Sequence, residues 1–404
     1  MFIRNIVYLS LVNITNYIIP LLLVPFSIKT LTLSGYGKFS FSLAIINYFI
    51  LFIDFGIGLI ATKKICETNS SSNKGTIIYS VIFIKGVLFL VSCFCLFLVV
   101  FFLDWDWKLY ATLIPYLFGM GATFSWYFQA IENMKIYTTT IFISKIITIP
   151  LIFVFVRSID DIYLYSLLYS LSVFIPVIYC IYYIFKNVKY KKIDIVITME
   201  ILKESLPLFY SLISIRIYTV TNTVIIGLVL GDKAVGVFSS IERIYRALIS
   251  LTTPIHTMLY PKLNKIKANR KLYSKYILQF MLFQFVLFSG CYLVSSLSFD
   301  YFSRYIFDGY GGDIKFDFIL FGWILVIGPI GNTLGTLILI PNNMAKYQNK
   351  VILIASLCHI VYIYPFIKYM GITGGISGYL LTETIVFLGM LYYVINKTDI
   401  LKKK

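Results

Sequence analysis

Residues 77–102 read IIYSVIFIKGVLFLVSCFCLFLVVFF, a run interrupted by a single charge at Lys85. At about 1.5 Å of rise per residue, a helix of this length crosses the roughly 30 Å hydrocarbon core of a bilayer. Eleven further apolar stretches follow the same pattern, near 6–28, 37–60, 109–128, 137–156, 162–185, 206–230, 235–260, 276–299, 316–340, 348–367 and 373–395. Barely a soluble segment separates them. Hydrophobic residues make up 59% of the 404 positions and charged residues 13%, with a mean hydropathy of +0.86. No soluble core of this size buries that much apolar surface. In lipid a helix satisfies its own backbone polar groups, so every span is predicted to be helical. The reading is an all-α polytopic membrane protein of about twelve transmembrane helices. The first stretch is longer than a signal-peptide core and no small-residue cleavage motif follows it, so it is expected to be retained.

Basic residues set the orientation. Of the 35 Lys and Arg residues, 22 fall in the set of connections that includes both termini, 8 in the opposite set, and five inside spans. That bias predicts a multi-pass protein with both termini in the cytoplasm, and hence an even number of spans. The net charge of +17 follows from this topology, and nucleic acid is not an expected partner, because the lysines flank membrane ends.

The longest cytoplasmic connection divides the chain in its middle. Six spans precede it and six follow, which predicts an N-terminal lobe at 1–186, a linker at 187–204 and a C-terminal lobe at 205–404. A short self-similarity supports a repeat: Gly37-Lys38-Phe39-Ser40 and Gly236-Val237-Phe238-Ser239 each open the second span of their half. The halves are expected to be parallel repeats. The largest extracytoplasmic loop, about 300–315, carries Asp300, Arg304, Asp308 and a glycine cluster from Gly309, and is too short for a domain. Asp104-Trp105-Asp106-Trp107 reads as an interfacial aromatic anchor.

Charges within spans point to function, since each costs about 2.5–3.5 kcal/mol at a helix centre and usually faces a bundle interior or a water-filled cavity. They are Lys85, Lys145, Arg216, Arg243 and Arg246, against Asp54, Glu242 and Glu383. Arg216 and Arg246 are placed near the midplane on adjacent antiparallel helices. Substrate-binding candidates are Arg216, Arg243, Arg246 and Lys145; the acids are candidates for ion coupling or for structural ion pairs. Glu242 and Arg246 have the spacing of a helical ion pair and can neutralise each other. Lys85, near the cytoplasmic end, is expected to reach water by snorkelling. Asp54 is open to two readings, a structural partner near Lys63 and Lys64 or a proton site. Glu383 is equally open to coupling or to a salt bridge with another helix. A cavity with more cations than anions suits a phosphate or diphosphate headgroup, which arginine binds bidentately. Tyrosines in the spans, among them Tyr48, Tyr127, Tyr169, Tyr210, Tyr218 and Tyr245, offer rings to sugars, although interfacial tyrosines are also ordinary in membrane proteins.

No metal site is expected: the six cysteines form no Cys-x-x-Cys pair, and only His256 and His359 could join them. The cysteines read as small buried hydrophobes. No phosphate-loop motif for a nucleotide occurs, and neither a cofactor nor enzymatic chemistry is expected.

Several motifs resemble those of Wzx-type O-antigen flippases. They are Asn13-x-x-Asn16 followed by Pro20-Leu21-Leu22-Leu23-Val24-Pro25, then Gly35-Tyr36-Gly37, and the stretch from Asp54-Phe55-Gly56 to Lys63-Lys64. Glu242-Arg243-Ile244, Pro254 and Tyr260-Pro261 fit the same pattern. The resemblance implies membership of the multidrug/oligosaccharidyl-lipid/polysaccharide exporter superfamily, with two six-helix lobes around a central cavity. It also implies translocation of undecaprenyl-pyrophosphate-linked oligosaccharide across the bacterial inner membrane by alternating access. The implied partners are that lipid-linked substrate, membrane lipid, a coupling proton or sodium ion, and a polysaccharide polymerase with its chain-length regulator. A lipid II flippase or multidrug exporter of the same fold is the main alternative. A polytopic polymerase is a further one, but it should carry a large periplasmic loop that is not found.

Overall fold

The structure is a computed structural model that describes the backbone of residues 2–68, 70–307 and 311–398. The side chains of Asn13, Asn16, Pro20 and Arg304, and the loop residues Asp308 and Gly309, lie outside the described residues. The chain runs through α1 (Phe2–Asp54), α2 (Ile57–Glu67), α3 (Ser71–Phe102), α4 (Trp107–Gly121), α5 (Ser125–Ala130), α6 (Met134–Phe155) and α7 (Ile162–Asn187). It continues through α8 (Ile195–Leu230), α9 (Asp232–Ser250), α10 (Thr253–Ile266), α11 (Arg270–Leu297), α12 (Phe299–Ile306), α13 (Gly311–Thr333) and α14 (Ala345–Lys397). A π-helical stretch, Leu334–Leu339, follows α13. No strand occurs among the described residues.

Helix length settles how spans and helices correspond. α1 and α14 each have 53 residues. A straight helix of that size is about 80 Å long, far more than one crossing needs. Each contains a break: Thr32 at φ 64° in α1 and Gly371 at φ 63° in α14. Each therefore holds two of the expected spans, folded back at a residue in the left-handed region. Eight helical stretches among the described residues are long and apolar enough to cross a membrane. Two expected spans are not single helices. The 109–128 stretch breaks between Gly121 and Ser125 into α4 and α5, and the 235–260 stretch breaks after Ser250, where Pro254 sits in the first turn of α10.

The surface confirms lipid as the solvent. Leu90, Phe94, Phe97, Phe101 and Phe102 are exposed on α3, as are Leu282, Phe283, Phe285 and Val286 on α11. Apolar belts of this extent are stable only against a membrane. The same solvent explains a departure at the cysteines. Only Cys180 is buried, while Cys66, Cys95 and Cys358 are exposed, because an apolar thiol needs no burial where the surroundings are hydrocarbon. In the anchor, Asp106 caps α4 by accepting from the Leu109 amide at 3.4 Å, and it also accepts from the Tyr163 hydroxyl at 3.0 Å. Trp105 stacks on Tyr110.

The helices form two compact units. The first comprises residues 1–12 and 39–213, and the second residues 13–38 and 214–404. These units follow packing, whereas lobes of six spans follow chain order. In the first unit α7 packs along α4 and α6, and α2 packs on α5. In the second unit α13 packs on α14, α11 and α9.

The repeated glycines meet within the second unit. A methyl group on Gly37 would collide with the Asp232 carbonyl oxygen and come within 2.8 Å of the Gly236 amide nitrogen. One on Gly236 would collide with the Leu33 carbonyl oxygen. The two tetrads thus let their backbones touch, the way small residues bring membrane helices together. Gly37→Leu or Gly236→Leu should destabilise the purified protein by about 1–3 kcal/mol through overpacking. Gly86→Ala should be neutral, since nothing lies within 4 Å of a methyl group there. Melting curves in detergent measure all three.

Candidate functional site

α8 and α9 are joined at Gly231, whose φ of 82° makes the reversal. Arg216 lies 14 residues before Leu230 and Arg246 lies 14 residues after Asp232, so both stand about 21 Å from this turn. The two arginines are equally far along the chain from this turn. Glu383 lies about 18 Å past the Gly371 break of α14.

Glu242, Arg246, Tyr218, Tyr379 and Glu383 form one polar cluster in the second unit. Glu242 Oε1 accepts from Arg246 Nε at 2.9 Å and from Nη2 at 2.7 Å. Arg246 Nη2 also donates to the Tyr379 hydroxyl at 3.4 Å. Glu383 is within electrostatic reach of Arg246 and Tyr218. Its Oε2 would lie 3.9 Å from a methyl group on Gly328 of α13. The Tyr218 and Tyr379 rings lie 6.4 Å apart, and Tyr379 meets Phe321 edge-on. Arg243 occupies a different surrounding, with its guanidinium carbon 5.2 Å from the centroid of the buried Tyr36 ring.

Of the candidate arginines, Arg246 is in an ion pair. Its side chain is 37% exposed against 12% for Glu242, so the carboxylate is buried while the guanidinium keeps an open side. Arg216 is half-buried on α8, two residues from Tyr218. The cluster shown by these contacts holds Arg246 with Glu242, Glu383, Tyr218 and Tyr379, while Arg216 and Arg243 lie on α8 and α9 outside those contacts. It holds each carboxylate near a cation.

Lys145 and Asp54 belong to the first unit. Lys145 is buried on α6. Asp54 ends α1, and Phe55 (φ 47°) with Gly56 (φ 73°) turns the chain into α2. The helix break thus aims the carboxylate away from the α1 axis. Its partner is Lys85, 3.5 Å away. The Lys85 amine also donates to the Gly121 carbonyl at 3.0 Å, at the electronegative end of α4. Lys85 therefore does not snorkel: its amine is buried, held by the half-exposed Asp54 carboxylate and by the Gly121 carbonyl. Lys64 makes its own pairs, at 2.9 Å to Glu200 and 2.8 Å to Glu204. Beside the Asp54 pair lies a cavity of about 280 Å³ lined by Asp54, Thr123, Ser125, Trp126, Gln129 and Ser211.

Sequence reasoning missed two polar networks in the second unit. His256 Nε2 lies 3.1 Å from Gln284 Nε2, and Gln284 accepts from Thr333 at 2.7 Å where the π-helical stretch begins. The second joins His359, Tyr362 and Thr382, with contacts of 2.7 Å and 2.6 Å to the threonine hydroxyl. Polar residues inside apolar runs were the available signal.

Long apolar helices with polar clusters set among them define a multi-pass membrane protein. The chain superposes on a solved structure described as "Inward-facing conformation of a multidrug resistance MATE family transporter of the MOP superfamily", with TM-score 0.69 and 15% identity, over 96% of this chain and 99% of that one. It superposes on "Lipid II flippase MurJ, inward closed conformation" with TM-score 0.69 and 16% identity, over 98% of this chain and 86% of that one. Both likenesses establish the fold. Residues 2–267 match the family described as polysaccharide biosynthesis protein, and the chain belongs to that family. A relative from Escherichia coli (strain K12), named "Putative O-antigen transporter", is 27% identical over 415 residues, covering 97% of this chain and 96% of the relative.

The Asp54–Lys85 pair generates an asymmetric prediction. Asp54→Asn leaves a lysine that is only 3% exposed without its counter-charge, which costs about 3–5 kcal/mol. Lys85→Met leaves a carboxylate that is 39% exposed and can be hydrated. The melting temperature should fall much further for Asp54→Asn than for Lys85→Met.

Proposed function

We propose that this protein is a flippase for a polyprenyl-diphosphate-linked oligosaccharide of the O-antigen or capsule type. It would move the glycan and diphosphate from the cytoplasmic to the outer leaflet of a bacterial inner membrane, with both termini in the cytoplasm. The observation that supports this reading is that the second unit sets three arginines, Arg216, Arg243 and Arg246, on α8 and α9 against two acids, Glu242 and Glu383, and we place these arginines at mid-depth along the substrate path. Family membership and the name of the 27% identical relative support it. Guanidinium groups bind phosphate oxygens in pairs, and the low dielectric around the cluster strengthens the attraction. A cationic drug would instead want carboxylates in the majority.

The mechanism we propose is alternating access by two lobes, 1–186 and 205–404, joined by the 187–204 linker. The arginines hold the diphosphate while the polyprenyl tail stays in lipid, and the tyrosines contact sugar. Lys145 contributes to substrate binding from the first lobe. Asp54, Glu242 and Glu383 hold structural ion pairs or carry a coupling proton or sodium ion. Polymerase and chain-length regulator act on the exported unit. No covalent step is required.

The test is surface polysaccharide in a flippase-deletion strain carrying the protein, with membrane levels checked. Arg243→Lys should retain part of the export, because charge survives and bidentate geometry is lost. Arg243→Glu should abolish it at normal membrane levels. Normal polysaccharide from Arg243→Glu would remove the arginine from the substrate site.

A further inference from the structure

A second basic site lies away from Arg216, Arg243 and Arg246, where α10, α11 and the two ends of α14 come together in the second unit. It is a pocket of about 540 Å³ whose lining includes Lys267, Arg270, Tyr273, Asn342, Met344 and Lys397, with no carboxylate among its described lining residues. We propose that this pocket binds the phosphate headgroup of an anionic phospholipid.

The walls are built rather than incidental. Tyr273 is 1% exposed, and its hydroxyl donates to the Leu337 carbonyl of the π-helical stretch at 2.6 Å. Asn342 donates to the Ile338 carbonyl at 2.7 Å and reaches the Tyr273 hydroxyl at 3.5 Å. The Lys267 amine donates to the Pro341 carbonyl. Side chains thus reach the carbonyls of the π-helical segment and of the turn after it, at Leu337, Ile338 and Pro341. The same bonds fix the side chains that line the pocket.

Two further features favour an anion. Met344, in the lining, is the cap residue of α14 and supplies no side-chain cap, so the first amides of a 53-residue helix carry their positive dipole end into this region without a side-chain acceptor from the cap. A phosphate oxygen suits such a position. Depth then selects the source of the phosphate. Along α11, the exposed apolar series Leu278, Leu282 and Phe285 begins eight residues after Arg270, or about 12 Å further in. The pocket therefore stands at the end of a lipid-facing helix, at headgroup level. Its acyl chains would lie along that apolar series. Neighbouring Lys262, Lys265, Lys271 and Lys275 add positive potential around it. The site is independent of the flippase reading, because it needs only a membrane protein with this end in the headgroup layer.

The full-length protein, purified in phosphatidylcholine nanodiscs, provides the test. Dioleoyl-phosphatidylglycerol is titrated in and bound lipid is counted by native mass spectrometry, with inorganic phosphate as competitor. Phosphatidylglycerol should bind in preference to phosphatidylcholine. The K267Q/R270Q/K397Q variant should lose about a hundredfold in that affinity. Inorganic phosphate should not displace the lipid. The variant's melting temperature in phosphatidylcholine alone should fall no further than that of Lys267→Gln, which removes only the contact with the Pro341 carbonyl. If the triple variant does not fold, Lys397→Gln alone should cost about fivefold. Equal affinity in parent and variant, no preference over phosphatidylcholine, or displacement by free phosphate would each overturn the proposal.

Discussion

A charge carried to the middle of a bilayer must be met there, because the lipid supplies neither water nor counter-ion. Helix placement in this protein follows from that constraint. Glu242 and Arg246 meet within one helix, a turn apart, with the hydroxyl of Tyr379 reaching the same guanidinium. Asp54 and Lys85 meet from different helices, and the break at Phe55-Gly56 lets the carboxylate reach its lysine. The two devices differ in consequence. An intrahelical pair is formed before the bundle assembles, whereas the Asp54–Lys85 pair requires α1, α3 and the end of α4 to be in register. Buried ion pairs of the second kind contribute little net stability over an apolar replacement, yet they penalise any packing that separates the partners.

Close backbone contact supplies the other half of the packing. Apolar side chains do not drive membrane helices together, since lipid is equally apolar, so small residues and polar contacts decide which faces meet. Gly37 and Gly236 show this most directly, since a side chain on either would strike the backbone of the opposite segment. Around them the second unit adds aromatic packing, with Tyr245 stacked on Phe321 and its hydroxyl bonded to the Phe318 carbonyl.

The helical membrane architecture was legible from apolar run length alone. The Glu242–Arg246 pair was legible because both partners lie on one helix. What stayed hidden depends on which helices become neighbours. Lys85 looked able to reach the interface, but α4 offers the Gly121 carbonyl and α1 offers Asp54, and neither proximity is encoded locally. The repeated glycines were visible as a repeat but not as a contact. The breaks in the fourth and eighth spans were marked only by small residues and prolines such as Pro254, which membrane helices often tolerate. Gln284 and Thr333 stood out as polar positions in apolar runs, yet only the folded chain shows that they share His256.

The fold is shared by proteins whose names describe different cargoes, so substrate choice has to reside in the residues set into the bundle. Here we assign that role to Arg216, Arg243 and Arg246. The most direct measurement is the equilibrium affinity of the purified protein for a short-chain polyprenyl diphosphate, compared with the corresponding alcohol. The account predicts that the diphosphate binds and the alcohol does not compete. Arg243→Ala should weaken diphosphate binding by about tenfold or more, the loss of roughly one charge-assisted contact. Equal affinity for diphosphate and alcohol, or an Arg243→Ala protein that binds like the parent, would contradict it.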